Sequence, residues 1–153
     1  MMTESLNAKL DALAAFIVEL RELCPEHFEA YENNKMLRRY AERLLHMTID
    51  TCIQSGIEIL TAERWRAPEN YHDVFIALGE HGMLTAPLVR SMTMMVELRN
   101  VLVYEYDVMD HMMVYSVLKR RLDDLAEFEN AARAYATGAP YIPSPLFENQ
   151  VEE

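Results

Sequence analysis

The stretch that decides the fold of this chain is residues 96–107, Val96-Glu97-Leu98-Arg99-Asn100-Val101-Leu102-Val103-Tyr104-Glu105-Tyr106-Asp107. An Arg-Asn pair, three aliphatic residues and a Tyr-x-Tyr follow one another at the end of an apolar segment. Packing alone does not explain this order. On a helix, Arg99 and Tyr106 lie about 20° apart around the axis, and Asn100 and Tyr104 lie about 40° apart. The stretch therefore predicts a helix with two adjacent polar stripes.

The side chains on these stripes suit a phosphate. Arg99 offers a planar, always charged fork that matches phosphate oxygens, and Asn100 can both donate and accept hydrogen bonds. Taken singly, an arginine or tyrosine on a helix is more often solvated or packed than functional. Together, Arg99 and Asn100 form a candidate phosphodiester clamp.

The residues around this stretch predict an all-α fold. Only four glycines and six prolines occur in 153 residues, and the prolines fall between segments with apolar residues at helical spacing. Four N-cap positions are predicted: Thr3 or Ser5, Asn70, Thr85 and Asp110. The expected helices cover residues 5–23, about 26–64 with loosening at 33–34, 71–80, from 85 into the motif, and 110 to about 136.

Length and composition predict one domain, with a helical bundle over residues 1–138 and a tail over 139–153. The tail contains three prolines and ends acidic, so we expect it to be mobile or to dock on a partner chain. No apolar run is long enough to span a membrane and no signal peptide begins the chain, which predicts a cytoplasmic protein. Cys24 and Cys52 are expected to be reduced packing residues.

The formal net charge of −11 is opposite to that of a passive nucleic-acid binder. Any nucleic-acid contact must therefore be confined to a small basic cleft. Two local basic clusters occur, at residues 38–43 and 119–121, and we interpret both as solvated helix faces.

A further polar stripe lies on the long second helix, where His46, Asp50 and Gln54 follow at intervals of four. The stripe is interpreted either as a network that orients the motif or, more simply, as a half-exposed face with one His-Asp pair.

No metal site is expected. A two-iron bundle needs Glu-x-x-His pairs on facing helices, and the chain has one such pair, Glu69 with His72.

The motif and its context resemble HEPN-domain proteins of the HepT kind, the ribonuclease toxins encoded beside a minimal nucleotidyltransferase (MNT) antitoxin. Their motif reads Arg-Asn-x-x-x-His-x-Tyr, and Arg99, Asn100 and Tyr106 match it. The resemblance covers about residues 36–132 and is carried also by Ala41-Glu42-Arg43-Leu44, Pro68-Glu69-Asn70-Tyr71, His81-Gly82-Met83-Leu84 and the helix from Asp110 to Leu122. It implies an antiparallel bundle of four to five helices that forms a homodimer with the two motifs at a shared cleft.

This sequence departs from the family pattern at Tyr104, which stands where the family places its catalytic histidine. A phenol has a reference pKa near 10, so only about 0.1% is ionised at pH 7. General acid-base catalysis is typically worth about 10² to 10⁴ in rate. The resemblance therefore implies a catalytic set of Arg99, Asn100 and Tyr104 with absent or impaired RNA cleavage.

By the same resemblance, Tyr106 is the hydroxyl that receives AMP from the nucleotidyltransferase partner, and Tyr104 is a second candidate acceptor. No cofactor is implied. His46, Asp50 and Asp107 are candidate supporting residues. Two alternatives stay open: an active metal-independent ribonuclease that uses Tyr104 or Asp107 as base, and a noncatalytic nucleotide-binding or scaffold bundle.

An independent reason for dimerisation is the motif helix, which is apolar around much of its circumference, from Met92 to Val103.

Overall fold

The structure is a computed structural model that describes residues 4–104 and 109–143. Within these residues it contains seven helices and no strand: α1 (Glu4–Leu23), α2 (Phe28–Glu32), α3 (Lys35–Glu63), α4 (Tyr71–Glu80), α5 (Ala86–Tyr104), α6 (His111–Arg120) and α7 (Leu122–Thr137). The prediction of an all-α bundle is confirmed. The predicted count of up to five helices holds if α2 with α3, and α6 with α7, are each taken as one interrupted helix.

One core joins the long helices. Helix α1 packs against α3 and α7, and α5 packs against α3, α4 and α7. The buried face of α1 follows the predicted three- and four-residue spacing, with Leu6, Leu10, Leu13, Ile17 and Leu20. Between α4 and α7, the rings of Phe75 and Phe128 meet edge to face with centroids 5.6 Å apart.

Local capping chemistry sets most of the helix starts. Asn70 Oδ1 accepts a hydrogen bond from the Asp73 amide at 2.9 Å, and Asp110 Oδ1 accepts from the Met112 amide at 2.9 Å. Thr85 Oγ1 accepts from the Leu88 amide at 3.3 Å. These hydrogen bonds confirm the three predicted caps. Each one satisfies a backbone N–H that has no partner within its own helix. Of the two alternatives for the first helix, Thr3 lies outside the described residues. Ser5 lies inside α1, so the alternative that made it the cap is wrong.

Two long predicted helices are each divided. The second predicted helix breaks at residues 33–34, where Asn34 Oδ1 accepts from the Leu37 amide at 3.0 Å and starts α3 afresh. The last predicted helix was wrong as a single element, because Arg121 ends α6 and a new helix starts at Leu122. Basic residues close α6 and two aspartates open α7, and each set complements the dipole of its own helix end.

The beginning of the predicted tail lies against the bundle. Tyr141 is partly buried on the core, and its hydroxyl donates to Glu127 Oε1 at 2.5 Å. Within residues 139–143, Tyr141 therefore contacts the bundle of its own chain. None of the helices in the described residues combines the length and apolar character of a membrane span.

Candidate functional site

Arg99 lies near the carboxyl end of α5 and is held from two sides. Its Nε donates to Asp50 Oδ1 at 2.8 Å, which joins α5 to the middle of α3. Its guanidinium carbon lies 5.1 Å from the centre of the Tyr71 ring at the start of α4, within the range of a cation–π contact. The Arg99 side chain is only 12% exposed. The guanidinium is therefore fixed in direction and not a freely solvated side chain.

The contact with Asp50 continues along α3. Asp50 Oδ2 lies 2.8 Å from His46 Nε2, and His46 Nδ1 lies 3.3 Å from Arg43 Nη1. Spacings of three and four residues bring these side chains together on one face of the helix. The predicted His-Asp pair is present, but Asp50 also binds Arg99. The interpretation of this stripe as an isolated pair on a half-exposed face is therefore incomplete.

The surroundings of Arg99 favour its charged form. Burial lowers the pKa of Arg99, but the hydrogen bond to Asp50, the nearby Asp50 charge and an interaction with the Tyr104 hydroxyl outweigh burial and raise it. The site thus contains a permanent positive charge close to the protein surface. A fixed charge of this kind attracts anions without the cost of ordering the side chain on binding.

The rest of the motif lies beside this charge. Arg99 Nη1 donates to Asn100 Oδ1 at 3.2 Å, so the Asn100 amide nitrogen remains as a donor for a ligand. Tyr104 is the last residue of α5 and its side chain is 73% exposed. Its hydroxyl is therefore open to another macromolecule while remaining close to Arg99.

The structure brings together five of the seven predicted site residues: Arg99, Asn100, Tyr104, Asp50 and His46. The other two, Tyr106 and Asp107, lie outside the described residues. Sequence reasoning assigned no part in the site to Tyr71 or Arg43. The only local signal for Tyr71 was its place immediately after the predicted cap Asn70.

Two cavities flank this network on α3. One, of about 490 Å³, lies between α1 and α3 and is lined by Arg43 and Asp50. The other, of about 400 Å³, is lined by His46 and three arginines of α3 and, opposite them, by Leu102, Met109 and His111. Across residues 4–104 and 109–143, no three His, Cys, Asp or Glu side chains cluster as metal ligands.

The sequence matches the family model described as Ribonuclease HepT-like over residues 13–132. The chain belongs to the HepT-like family. A curated relative, the mRNA nuclease HepT of Shewanella oneidensis, is 27% identical over 90 residues, which cover 59% of this chain and 68% of the relative. The predicted family resemblance is confirmed.

Solved structures show that the HepT-like chain has the fold of HEPN toxins. The tri-AMPylated Shewanella oneidensis HEPN toxin, solved in complex with an MNT antitoxin, aligns with a TM-score of 0.81 at 21% identity, covering 87% of this chain and 99% of that one. The cytosolic protein YutE from Bacillus subtilis aligns with a TM-score of 0.73 at 18% identity, covering 90% and 95%. At these identities the likeness establishes the fold alone.

Proposed function

We propose that this HepT-like chain is the toxin component of a toxin-antitoxin pair, that its partner is an MNT-type nucleotidyltransferase, and that its own RNA cleavage is absent or strongly impaired. The observation that carries the proposal is the Asp50–Arg99 contact at 2.8 Å, which fixes a charged guanidinium at the family motif. Further support comes from the relatives: one is an mRNA nuclease, and another is an AMPylated toxin bound to an MNT antitoxin.

The proposed ligand of Arg99 is a phosphodiester of RNA. A guanidinium carries five N–H donors, of which Asp50 takes the one on Nε and Asn100 accepts one from Nη1. The remaining donors and the Asn100 amide can meet two oxygens of one phosphate. Hydrogen bonds between a guanidinium and a phosphate are charge-assisted and are roughly twice as strong as neutral ones.

The proposed loss of cleavage follows from the residue at position 104. RNA cleavage by the 2′-hydroxyl needs a group that takes up and releases a proton near neutral pH, and imidazole does so far better than a phenol. His46, the histidine nearest in the contact network, already contacts Asp50 and Arg43 through its two ring nitrogens. We therefore assign Tyr104 to the former catalytic position without assigning it efficient proton transfer.

The proposed modification is transfer of AMP to a tyrosine hydroxyl at the end of the motif. Tyr106 is the acceptor implied by the family motif. Tyr104 is the second candidate, because it is 73% exposed and close to Arg99. A phosphate attached there would pair with the guanidinium and exclude an RNA phosphate from it. Because its proposed substrate is RNA and its proposed partner is an enzyme that uses a nucleotide, we place the protein in the cytoplasm.

We also propose that the chain forms a homodimer through α5 and α6. Met92, Met95 and Val96 are buried in the chain's own core, whereas the Met94 side chain is 61% exposed. Around Met94 lies a mainly apolar cavity of about 550 Å³ between the two helices, with Leu98, Val101, Met113 and Val117 in its lining. A second copy would cover this apolar surface next to the motif. Light scattering that gives a monomer mass across micromolar concentrations would contradict this proposal.

The pairing with a nucleotidyltransferase is tested by coexpression. The chain is produced with the MNT-type protein encoded beside it, the complex is purified, and the peptide containing Tyr104 and Tyr106 is analysed by mass spectrometry. We expect added AMP on this peptide, lost in Tyr106→Phe or in the double variant with Tyr104→Phe. Tyr135→Phe serves as a matched control on another helix. A stable complex without AMP on either tyrosine would refute the proposed modification.

A further inference from the structure

A basic cavity of about 400 Å³ lies one helical turn beyond the motif arginine. Its polar lining comes mainly from α3, and its apolar side consists of Leu102 near the end of α5 and Met109 before α6. The polar lining side chains are Arg38, Arg39, Glu42, Arg43, His46 and His111. The sequence analysis interpreted these arginines as a solvated helix face. The structure instead groups them around a concave surface.

The charge of this cavity is opposite to that of the whole chain. The chain has a formal net charge of −11 and 14 Lys and Arg residues, of which three line this one cavity. Two of its five histidines lie there as well. Among the described residues, one carboxyl group, that of Glu42, lines the cavity, and burial raises the pKa of Glu42 despite the opposing effects of His111 and Arg38. A locally positive concave surface on an acidic protein concentrates anions at that point.

The cavity and the motif are physically continuous. Arg43 lines the cavity and contacts His46, His46 contacts Asp50, and Asp50 binds Arg99. On α5, Leu102 lies three residues after Arg99 and therefore on the same side of the helix. The cavity lining thus begins within one helical turn of Arg99 on α5.

We propose that this cavity is a second phosphate subsite, which binds the phosphate of a single-stranded RNA that neighbours the phosphate held by Arg99. The proposal rests on the RNA-binding part of the function proposed above and names the residues that extend it. Arg38 is anchored, because its Nη1 donates to the Glu32 carbonyl oxygen. Arg39 and Arg43 are exposed at the rim and are the two arginines that would contact the strand.

The test measures binding of a fluorescein-labelled single-stranded oligonucleotide with 2′-O-methyl sugars, which the 2′-hydroxyl mechanism cannot cleave. Each single-strand phosphate contact adds about 0.7 to the slope of log affinity against log salt. One contact is therefore worth about fivefold in affinity at about 0.1 M salt, if its effect vanishes at about 1 M salt. At about 0.1 M salt, Arg39→Gln should weaken binding about fivefold, and Arg39→Gln combined with Arg43→Gln should weaken it about 25-fold. The slope should fall by about 0.7 and about 1.4 respectively.

The matched control removes the same charge elsewhere. Arg64 and Arg90 are exposed and lie away from the cavity, so Arg64→Gln with Arg90→Gln should change affinity less than threefold. An equal loss in this control would show a general charge effect and overturn the subsite.

A gain-of-function variant separates binding from damage to the fold. Glu42→Gln removes a carboxyl group from the cavity lining and should tighten binding severalfold. Unchanged affinity in both the arginine and the Glu42 variants would overturn the subsite. If Arg99→Gln still abolished binding in that case, the proposed RNA function would stand without it. Absence of binding by the unaltered chain would overturn both.

Discussion

The contact between Asp50 and Arg99 is predicted to have a measurable coupling free energy. The Arg99 side chain is 12% exposed and Asp50 is 36% exposed, so the pair lies between a surface ion pair and a buried one. Exposed pairs contribute about 0.2 to 1 kcal/mol, and breaking a buried pair costs about 3 to 5 kcal/mol. We expect each single variant, Asp50→Asn or Arg99→Gln, to lower the free energy of unfolding by about 2 kcal/mol.

The assay is a double-mutant cycle measured by urea unfolding. We expect a coupling of about 1 to 2 kcal/mol, because the second substitution no longer leaves a charged partner behind. Each single variant should also lower the melting temperature by about 4 to 8 °C, because about 1 kcal/mol corresponds to about 2 to 4 °C in a chain of this length. The reference cycle uses Arg21 and Asp123, which are also 2.8 Å apart but 47% and 45% exposed. That pair should couple by less than about 1 kcal/mol.

Additive effects of the Asp50 and Arg99 substitutions, within the limit of about 0.5 kcal/mol seen for independent sites, would contradict this prediction. Additivity would mean that Arg99 is not held by Asp50, and the oriented guanidinium on which the proposed RNA site depends would be lost.

Two further predictions concern the scaffold around the site. Gly56→Ala should lower the free energy of unfolding by about 1 kcal/mol, measured by urea titration. The new methyl group would lie 2.6 Å from Val74 Cγ1, and the cost of this overpacking outweighs the gain in helix propensity. A more stable variant would contradict this prediction. The hydrogen bonds from Arg66 and then from the Glu69 amide lower the pKa of Asp73 to about 2. This contribution to stability is complete above the unfolded pKa of about 4 and is lost as the pH falls towards about 2. The stability difference between the unaltered chain and Asp73→Asn should therefore shrink over that range, and a difference independent of pH would exclude this origin.

The features that sequence reasoning predicted best are set by local chemistry. Asn70, Thr85 and Asp110 cap helices because each accepts a hydrogen bond from a backbone amide two or three residues later in its own sequence. The spacing that places Tyr104 near Asn100 on one side of α5 is likewise local. These positions could be assigned without knowledge of how the helices pack.

The contacts that sequence reasoning could not specify depend on packing between distant segments. Arg99 and Asp50 are 49 residues apart, and only the crossing of α3 and α5 brings them to 2.8 Å. The Tyr71 ring enters the site in the same way, from the start of α4. The division of the last helix at Arg121 was also missed, because apolar spacing continues across the break and only the reversal of charge marks it.

The central claim is that an intact phosphate clamp remains while a phenol stands in place of the catalytic imidazole. The most direct test compares RNA cleavage by the purified chain with cleavage by Tyr104→His under single-turnover conditions at neutral pH. We predict no cleavage, or barely detectable cleavage, by the unaltered chain and a gain of about 10² or more in Tyr104→His. The gain should disappear when Arg99→Gln is added. Efficient cleavage by the unaltered chain, with no gain in Tyr104→His, would contradict the claim.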